Sequence, residues 1–217
     1  MRNSFAMIAA ALLFGLLGSS RAQADTCGSI AGNLVKNCGF ENPGTTSIPN
    51  WTVTGNQEGG FDGNYWGTDN SFPNSGSFEG YFGVQGATLG TVGPTLNLSQ
   101  TVTAPQGFYY QVTFFLDQDG PTNAAGYTNF FSAYFDGALL MSETNAANSA
   151  GYQKFSFLTG SDGVSPTLSF SFQNDDDVFY FDDVSVKQLG RTPEPASLLL
   201  VMPGLFALFP IARRRAA

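Results

Sequence analysis

The sequence predicts an all-β protein built as an antiparallel β-sandwich, and three observations lead there. Between residues 25 and 191 apolar side chains alternate with polar ones instead of recurring at helical spacing. In TLSFSF, Leu168, Phe170 and Phe172 share one side and serines the other; in KFSFL, Phe155 and Phe157 repeat the pattern. A period of two marks strands with one buried face. The alternating runs are short and parted by Gly, Asn, Asp and Pro, which favour turns. About nine such runs at this spacing imply two packed sheets.

The runs follow one another closely. Residues 34–40 stop before Asn42-Pro43, and 51–54 before Gly55-Asn56. Residues 78–85 lie between Gly76 and Gly86, 96–102 end ahead of Pro105, and 108–116 end ahead of Asp117. Residues 127–135 run into Asp136-Gly137, a hairpin signal, because a type I′ turn needs positive φ at both central positions. Residues 152–158, 168–173 and 178–187 complete the set. The stretch from 55 to 77 lacks a pattern yet carries Phe61, Tyr65, Trp66 and Phe72. Long irregular segments in compact domains are commonly functional, and this one is expected to be.

The ends read differently. Residues 1–24 combine Arg2, an apolar run from Phe5 to Leu17 and the small-x-small triplet Ala22-Gln23-Ala24, the pattern of a cleaved secretory signal peptide. The body from 25 to 191 holds four of the nine Lys and Arg and all but one of the 17 Asp and Glu, a net charge near −12. Such a surface repels phosphate backbones, which excludes nucleic acid as a partner, and attracts cations such as Ca²⁺. Cys27 and Cys38 are the only cysteines. In an exported chain they are expected to form a disulfide tying the N-terminus to the first strand. Two thiolates without a single histidine do not close a zinc shell.

Three segments in order resemble the galactose-binding-like jelly rolls found in many carbohydrate-binding modules: NLVKNCGFEN with NWTVTG, then LSQTVTAPQGFYYQVTFFL, then FYFDDVSV. The resemblance spans Asn33 to Val186, with Cys38 where the pattern usually has Gly. It implies a jelly-roll sandwich, carbohydrate binding, a packed Trp51, and a structural Ca²⁺ between the first and last strands. That ion maps to Glu41 and Asp183, with Asp182 as rival; the alternative is that Glu41 and Asp183 merely cap strands at the surface. Alternation in VFYFDDVSV puts Asp182 on the face of Val184 and Val186 and Asp183 on the other. A carboxylate on the core face needs a cation or hydrogen bonds to stay ionised.

The last residues, 192–217, resemble the PEP-CTERM sorting signal of Gram-negative bacteria. Pro193-Glu194-Pro195 precedes an apolar segment, which ends in Arg213, Arg214 and Arg215. The resemblance implies an exosortase as processing partner, in bacteria that make exopolysaccharide. The apolar segment, at about 1.5 Å per residue, barely spans a hydrocarbon core. Pro203 and Pro210 weaken it as a helix, which suits transient inner-membrane insertion, with the arginines on the cytoplasmic side.

No histidine-based triad, nucleophile elbow, phosphate loop or dinucleotide fingerprint is present, so the reading is not an enzyme. Asp175, Asp176 and Asp177 read as a solvated loop, and Asp117 with Asp119 lack the downstream Glu of a calcium loop. Sugar binding needs flat aromatic faces flanked by polar groups. Trp66 is the first candidate platform, with Tyr65 beside it and Tyr81 joining them; adjacent Tyr109 and Tyr110 must face opposite sides. The expectation is an exported cell-surface or extracellular protein that binds carbohydrate, with exopolysaccharide or biofilm matrix as its partner. The alternative is a structural or adhesive matrix protein with no sugar site.

Overall fold

The computed structural model describes residues 26–43, 47–57, 66–86, 88, 90–118, 126–161 and 163–191. The expected signal peptide, the sorting segment and Tyr65 lie outside these residues. Among the described residues ten strands run in chain order: β1 (Thr52–Gly55), β2 (Trp66–Asp69), β3 (Glu79–Phe82), β4 (Leu96–Thr101) and β5 (Phe108–Gln118). Then come β6 (Asn129–Phe135), β7 (Ala138–Thr144), β8 (Gln153–Ser161), β9 (Thr167–Asn174) and β10 (Phe179–Arg191). They form two antiparallel five-stranded sheets, β1-β4-β9-β6-β7 and β2-β3-β10-β5-β8. The expected sandwich is the observed one. Among the described residues no helix is long and apolar enough to cross a membrane.

Phenylalanines hold the sheets together. Leu168, Phe170 and Phe172 of β9 are fully buried, as their alternation demands. Phe172 stacks on Phe82 of the opposite sheet at 4.4 Å between centroids, and Phe170 meets Phe181 edge-on at 4.6 Å. Phe114 of β5 touches Phe131 and Phe170 across the same interface. Aromatic pairs in these geometries add about 0.5–1.5 kcal/mol each beyond the area they bury. Trp51 is packed as expected, stacked on Phe40 at 5.8 Å with its indole N–H donating to the Asn37 carbonyl.

Eight of the nine expected runs are strands. Residues 34–40 are not: Asn37 and Phe40 adopt positive φ (48° and 59°), which bends the chain out of any ladder. The segment meets β10 at the Asn33–Lys187 bridge, through the Leu34 N–H on the Val186 carbonyl and through the Val184 N–H on the Cys38 carbonyl, and it buries Val35, Cys38 and Phe40. The disulfide Cys27–Cys38 is formed, with Cα atoms 5.9 Å apart, so it anchors the N-terminus to this bent segment. Asp136 and Gly137 carry φ of 52° and 78°, the expected hairpin turn, and β7 follows it directly. The segment 55–77, expected to be irregular, contains β2 as an edge strand.

One phase change overturns a reading of β10. Asp182 pairs with Phe115 and Ser185 with Thr113, so Asp183 and Val184 together oppose Phe114. This is a β-bulge, and Asp183 takes a left-handed φ of 51° to make it. The extra residue shifts the alternation by one. Phe181, Val184 and Val186 face the core, whereas Asp182 points to the outer face with Tyr180, not with Val184 and Val186.

Candidate functional site

The inner face of the β2-β3-β10-β5-β8 sheet is core, and its outer face is partly covered by the connection that leads into β3, which Asp182 and Asp183 hold on it. Directly paired residues on neighbouring strands share a face, and the register therefore assembles two transverse rows. The first is Gly67, Tyr81, Tyr180 and Asp117, with Tyr152 following just before β8. The second begins with Asp69 and Glu79, continues through Asp182, and ends in Phe115 and Lys154. One row is mostly aromatic and the other mostly acidic.

Local sequence explains the first row. Gly67 gives β2 a surface without a side chain, and a Cβ there would lie 2.9 Å from the Tyr81 hydroxyl. The Tyr81 ring thus lies over the β2 backbone. Phe72, from the β2–β3 connection, is exposed and rests against Tyr180 with centroids 5.1 Å apart. Asp117 Oδ1 accepts a hydrogen bond from the Ser149 hydroxyl. The Tyr152 hydroxyl is buried without a hydrogen-bond partner. Burial pushes its pKa up, and the charges of Asp182, Glu79, Asp117 and Asp183 push it the same way. Its ring therefore stands among these carboxylates.

The second row is electrostatically tense. Glu79 is fully buried; Oε1 accepts the Phe72 N–H at 2.9 Å while Oε2 has no partner. Burial first, then the adjacent Asp69 carboxylate, raise its pKa to about 8. Asp182 is also fully buried and raised to about 8 by burial and by the charge of Asp183. At the Lys154 end, the ammonium sits 5.8 Å over the Phe115 ring. A cavity of about 310 Å³ opens there, bordered by Asn74, Phe115, Lys154 and Asp183 among others.

The three acids expected at a calcium site serve a different purpose. Asp182 Oδ2 accepts the backbone N–H groups of Asn74 and Ser75, and its Oδ1 that of Asp183. Asp183 accepts the Cys27 N–H, the Ser75 hydroxyl and the Asn74 amide. Glu41 Oε1 takes the N–H groups of Ser77 and Phe78. Neither a surface cap nor a cation cage describes this: all three carboxylates clasp residues 74–78 and hold that connection on the sheet. Donors already point at the oxygens an ion would need. Among the described residues no three acid or thiol groups are placed to share a metal, so this donor set does not fit Ca²⁺.

Of the expected sugar-contacting residues, the structure brings Tyr81 to the outer face. Trp66 pairs with Phe82, so it faces the core side of edge strand β2, half-buried against the core and away from Tyr81. Tyr65 lies outside the described residues. Tyr110 is buried and Tyr109 exposed, on opposite faces. Asp175, read as solvated, is buried; it accepts the N–H groups of Gly86 and Thr128 and the Gln173 amide. Sequence reasoning missed Tyr180, Tyr152, Asp117 and Glu79. The alternation of VFYF did signal Tyr180, since Phe179 and Phe181 flank it on the buried side.

No family model matches the sequence, and no curated protein matches it. Solved structures do resemble the fold. The enzymatically active domain of tailspike protein 4 from bacteriophage CBA120 superposes with a TM-score of 0.50 at 19% identity. The match covers 73% of this chain but only 22% of that one. A cyclase from Fischerella sp. TAU has a TM-score of 0.50 at 15% identity over 73% of this chain and 96% of that one. The CBM22-1 xylan-binding domain of Paenibacillus barcinonensis Xyn10C has a TM-score of 0.47 at 11% identity, covering 79% and 99%. At such identities the first two likenesses are of fold alone.

Proposed function

We propose that this chain is an exported carbohydrate-binding protein that holds a polysaccharide on the outer face of the β2-β3-β10-β5-β8 sheet. The observation that carries this reading is the row Gly67, Tyr81, Tyr180, Asp117 and Tyr152. Tyrosine rings offer flat apolar faces to the C–H side of pyranose rings, and the flanking carboxylates accept hydroxyl protons. Strands about 4.8 Å apart set neighbouring side chains at intervals that suit a chain of sugars lying across the sheet. In this reading the face binds its ligand without turnover.

The ends of the sequence support the address. The segment 1–24 reads as an export signal and 192–217 as a PEP-CTERM-type sorting segment processed by an exosortase. Together they favour the surface or extracellular matrix of a Gram-negative bacterium, with exopolysaccharide as the ligand.

The test is a binding screen of the full chain, held in a detergent without a sugar headgroup, against arrayed glycans and bacterial exopolysaccharide. Saturable binding that is lost in Tyr180→Ala, without release of reducing ends, is the expected result. No binding by a folded sample would favour a structural or adhesive matrix protein, and reducing ends would make it an enzyme.

A further inference from the structure

The two ends of the sandwich differ in charge and in exposed apolar surface. Paired rows run from Phe179 at one end of β10 to Arg191 at the other. Glu79, Asp117, Asp182 and Asp183 stand in the first half of those rows, and residues 175–177 lie beyond them in the turn from β9. Toward the Arg191 end the balance reverses. Arg191 pairs with Phe108, its guanidinium 5.3 Å over that ring, and Lys187 pairs with Gln111. Lys36 lies at the same end, its N–H on the Gln100 side chain near the close of β4. Among the described residues Asp136 is the one carboxylate here, and it is engaged by the Ser161 hydroxyl and the Gly163 N–H. Asp162 stands beside them in the sequence.

Exposed apolar groups gather at the same end. Of the seven large hydrophobic side chains that are exposed among the described residues, five are here: Tyr109, Leu139, Leu158, Val164 and Leu189. Leu158 and Lys187 both pair with Gln111, Tyr109 pairs with the bare Gly160, and Leu189 lies in the irregularity opposite Tyr109. Lys187, Leu158, Tyr109 and Leu189 therefore share one outer corner of the sheet. Val164 follows the end of β8, and Leu139 follows the Asp136-Gly137 turn. Scattered singly such residues are ordinary, but gathered at one end around cations they make a docking surface.

What covers this end follows from where the chain leaves it. β10 closes at Arg191 and the apolar stretch begins at Ala196, five residues on, a reach of at most about 18 Å. A stretch that enters a bilayer therefore brings this end down to the lipid headgroups. Tyrosine and aliphatic side chains mixed with Lys and Arg are the composition of surfaces that rest in that layer. Resting on the sorting-segment reading, we propose that the Arg191 end of the sandwich is a membrane seat. Tyr109, Leu158 and Leu189 enter the headgroup layer of a bilayer bearing anionic phospholipid, and Lys187 and Arg191 pair with its phosphates. The carboxylates toward the other end are held off the leaflet. Tyr180, seven residues along β10 from Lys187 and about 20 Å away, stands clear of the lipid with the rest of its row.

The full chain in nanodiscs of phosphatidylcholine and phosphatidylglycerol tests this, with a small fluorophore on one added cysteine and quenching by lipids spin-labelled near the headgroup. The native cysteines are bonded to each other and take no label. Leu158→Cys and Leu189→Cys report the seat, Leu200→Cys the apolar stretch, and Thr88→Cys the opposite end, where Gly86 meets Asp175. Thermal melts confirm that each variant folds. Labels at 158 and 189 should be quenched several-fold more than the label at 88. Lys187→Ser with Arg191→Ser should lower the ratio of seated to free body about fivefold per cation, and so should discs without phosphatidylglycerol. Quenching at 158 and 189 no greater than at 88, with 200 quenched, would overturn the inference while the sorting reading stands. An unquenched label at 200 would overturn both. Quenching that rises with the number of chains per disc would point to contact between copies and overturn the seat, as would quenching indifferent to lipid charge and to both cations.

Discussion

The ring of Phe72 lies against that of Tyr180, centroids 5.1 Å apart and planes inclined at 53°. Phe72 belongs to the β2–β3 connection and Tyr180 to β10, so the contact pins the connection to the middle of the sheet. The Phe72 N–H on Glu79 pins the same point a second time.

Tyr180→Ala is expected to weaken polysaccharide retention about tenfold or more while costing about 1 kcal/mol of stability, the scale of one lost aromatic pair. Affinity electrophoresis in gels cast with polysaccharide, paired with thermal melts, separates the two effects. Retention equal to the native chain would remove the tyrosine row from the site.

Trp66→Ala should behave in the opposite way. Its indole packs against the core from the inner face of β2, so truncation should cost about 2–3 kcal/mol, less than for a fully buried Trp. Retention by the folded fraction should be unchanged. A variant of native stability that fails to bind would place Trp66 in the site after all.

Asp183→Ala is expected to destabilise by about 2–4 kcal/mol. It strands the Cys27 N–H, the Ser75 hydroxyl and the Asn74 amide in a buried place. Because those donors already satisfy the carboxylate, neither millimolar Ca²⁺ nor EDTA should move the melting temperature of the native chain. A rise with Ca²⁺ that disappears in Glu41→Ala would reinstate a structural ion.

Stability should fall as pH rises from about 5 to about 8. Glu79 and Asp182 are raised to about 8 from ordinary values of 4.5 and 3.8, so the folded chain keeps protons that the unfolded chain has released. Their contribution is complete below the unfolded values and lost as pH climbs through the folded ones. Melts across this range should show the fall, and Glu79→Gln should flatten part of it. Stability that instead rises over this window would mean both carboxyls ionise early in the fold.

The sequence by itself determined the architecture. Alternation in TLSFSF and KFSFL sorts each strand into a buried and an exposed side, and Asp136-Gly137 marks a hairpin because few other pairs tolerate two positive φ angles. It also pointed to the pairing of Cys27 and Cys38, and the jelly-roll resemblance implied the packed Trp51. Only the tertiary structure brings the residues of the candidate site together. Tyr81, Tyr180 and Asp117 are scattered along the chain and become neighbours through the strand order β3-β10-β5, which local pattern does not encode. The face of Asp182 depended on one bulge at Asp183, and the bend of residues 34–40 on two positive φ angles at non-glycine positions. Period-two reading assumes an unbroken ladder, so a single extra residue inverts every assignment beyond it. Trp66 shows the same limit: in a segment without pattern nothing local says which way an edge strand turns, and pairing with Phe82 turned it inward.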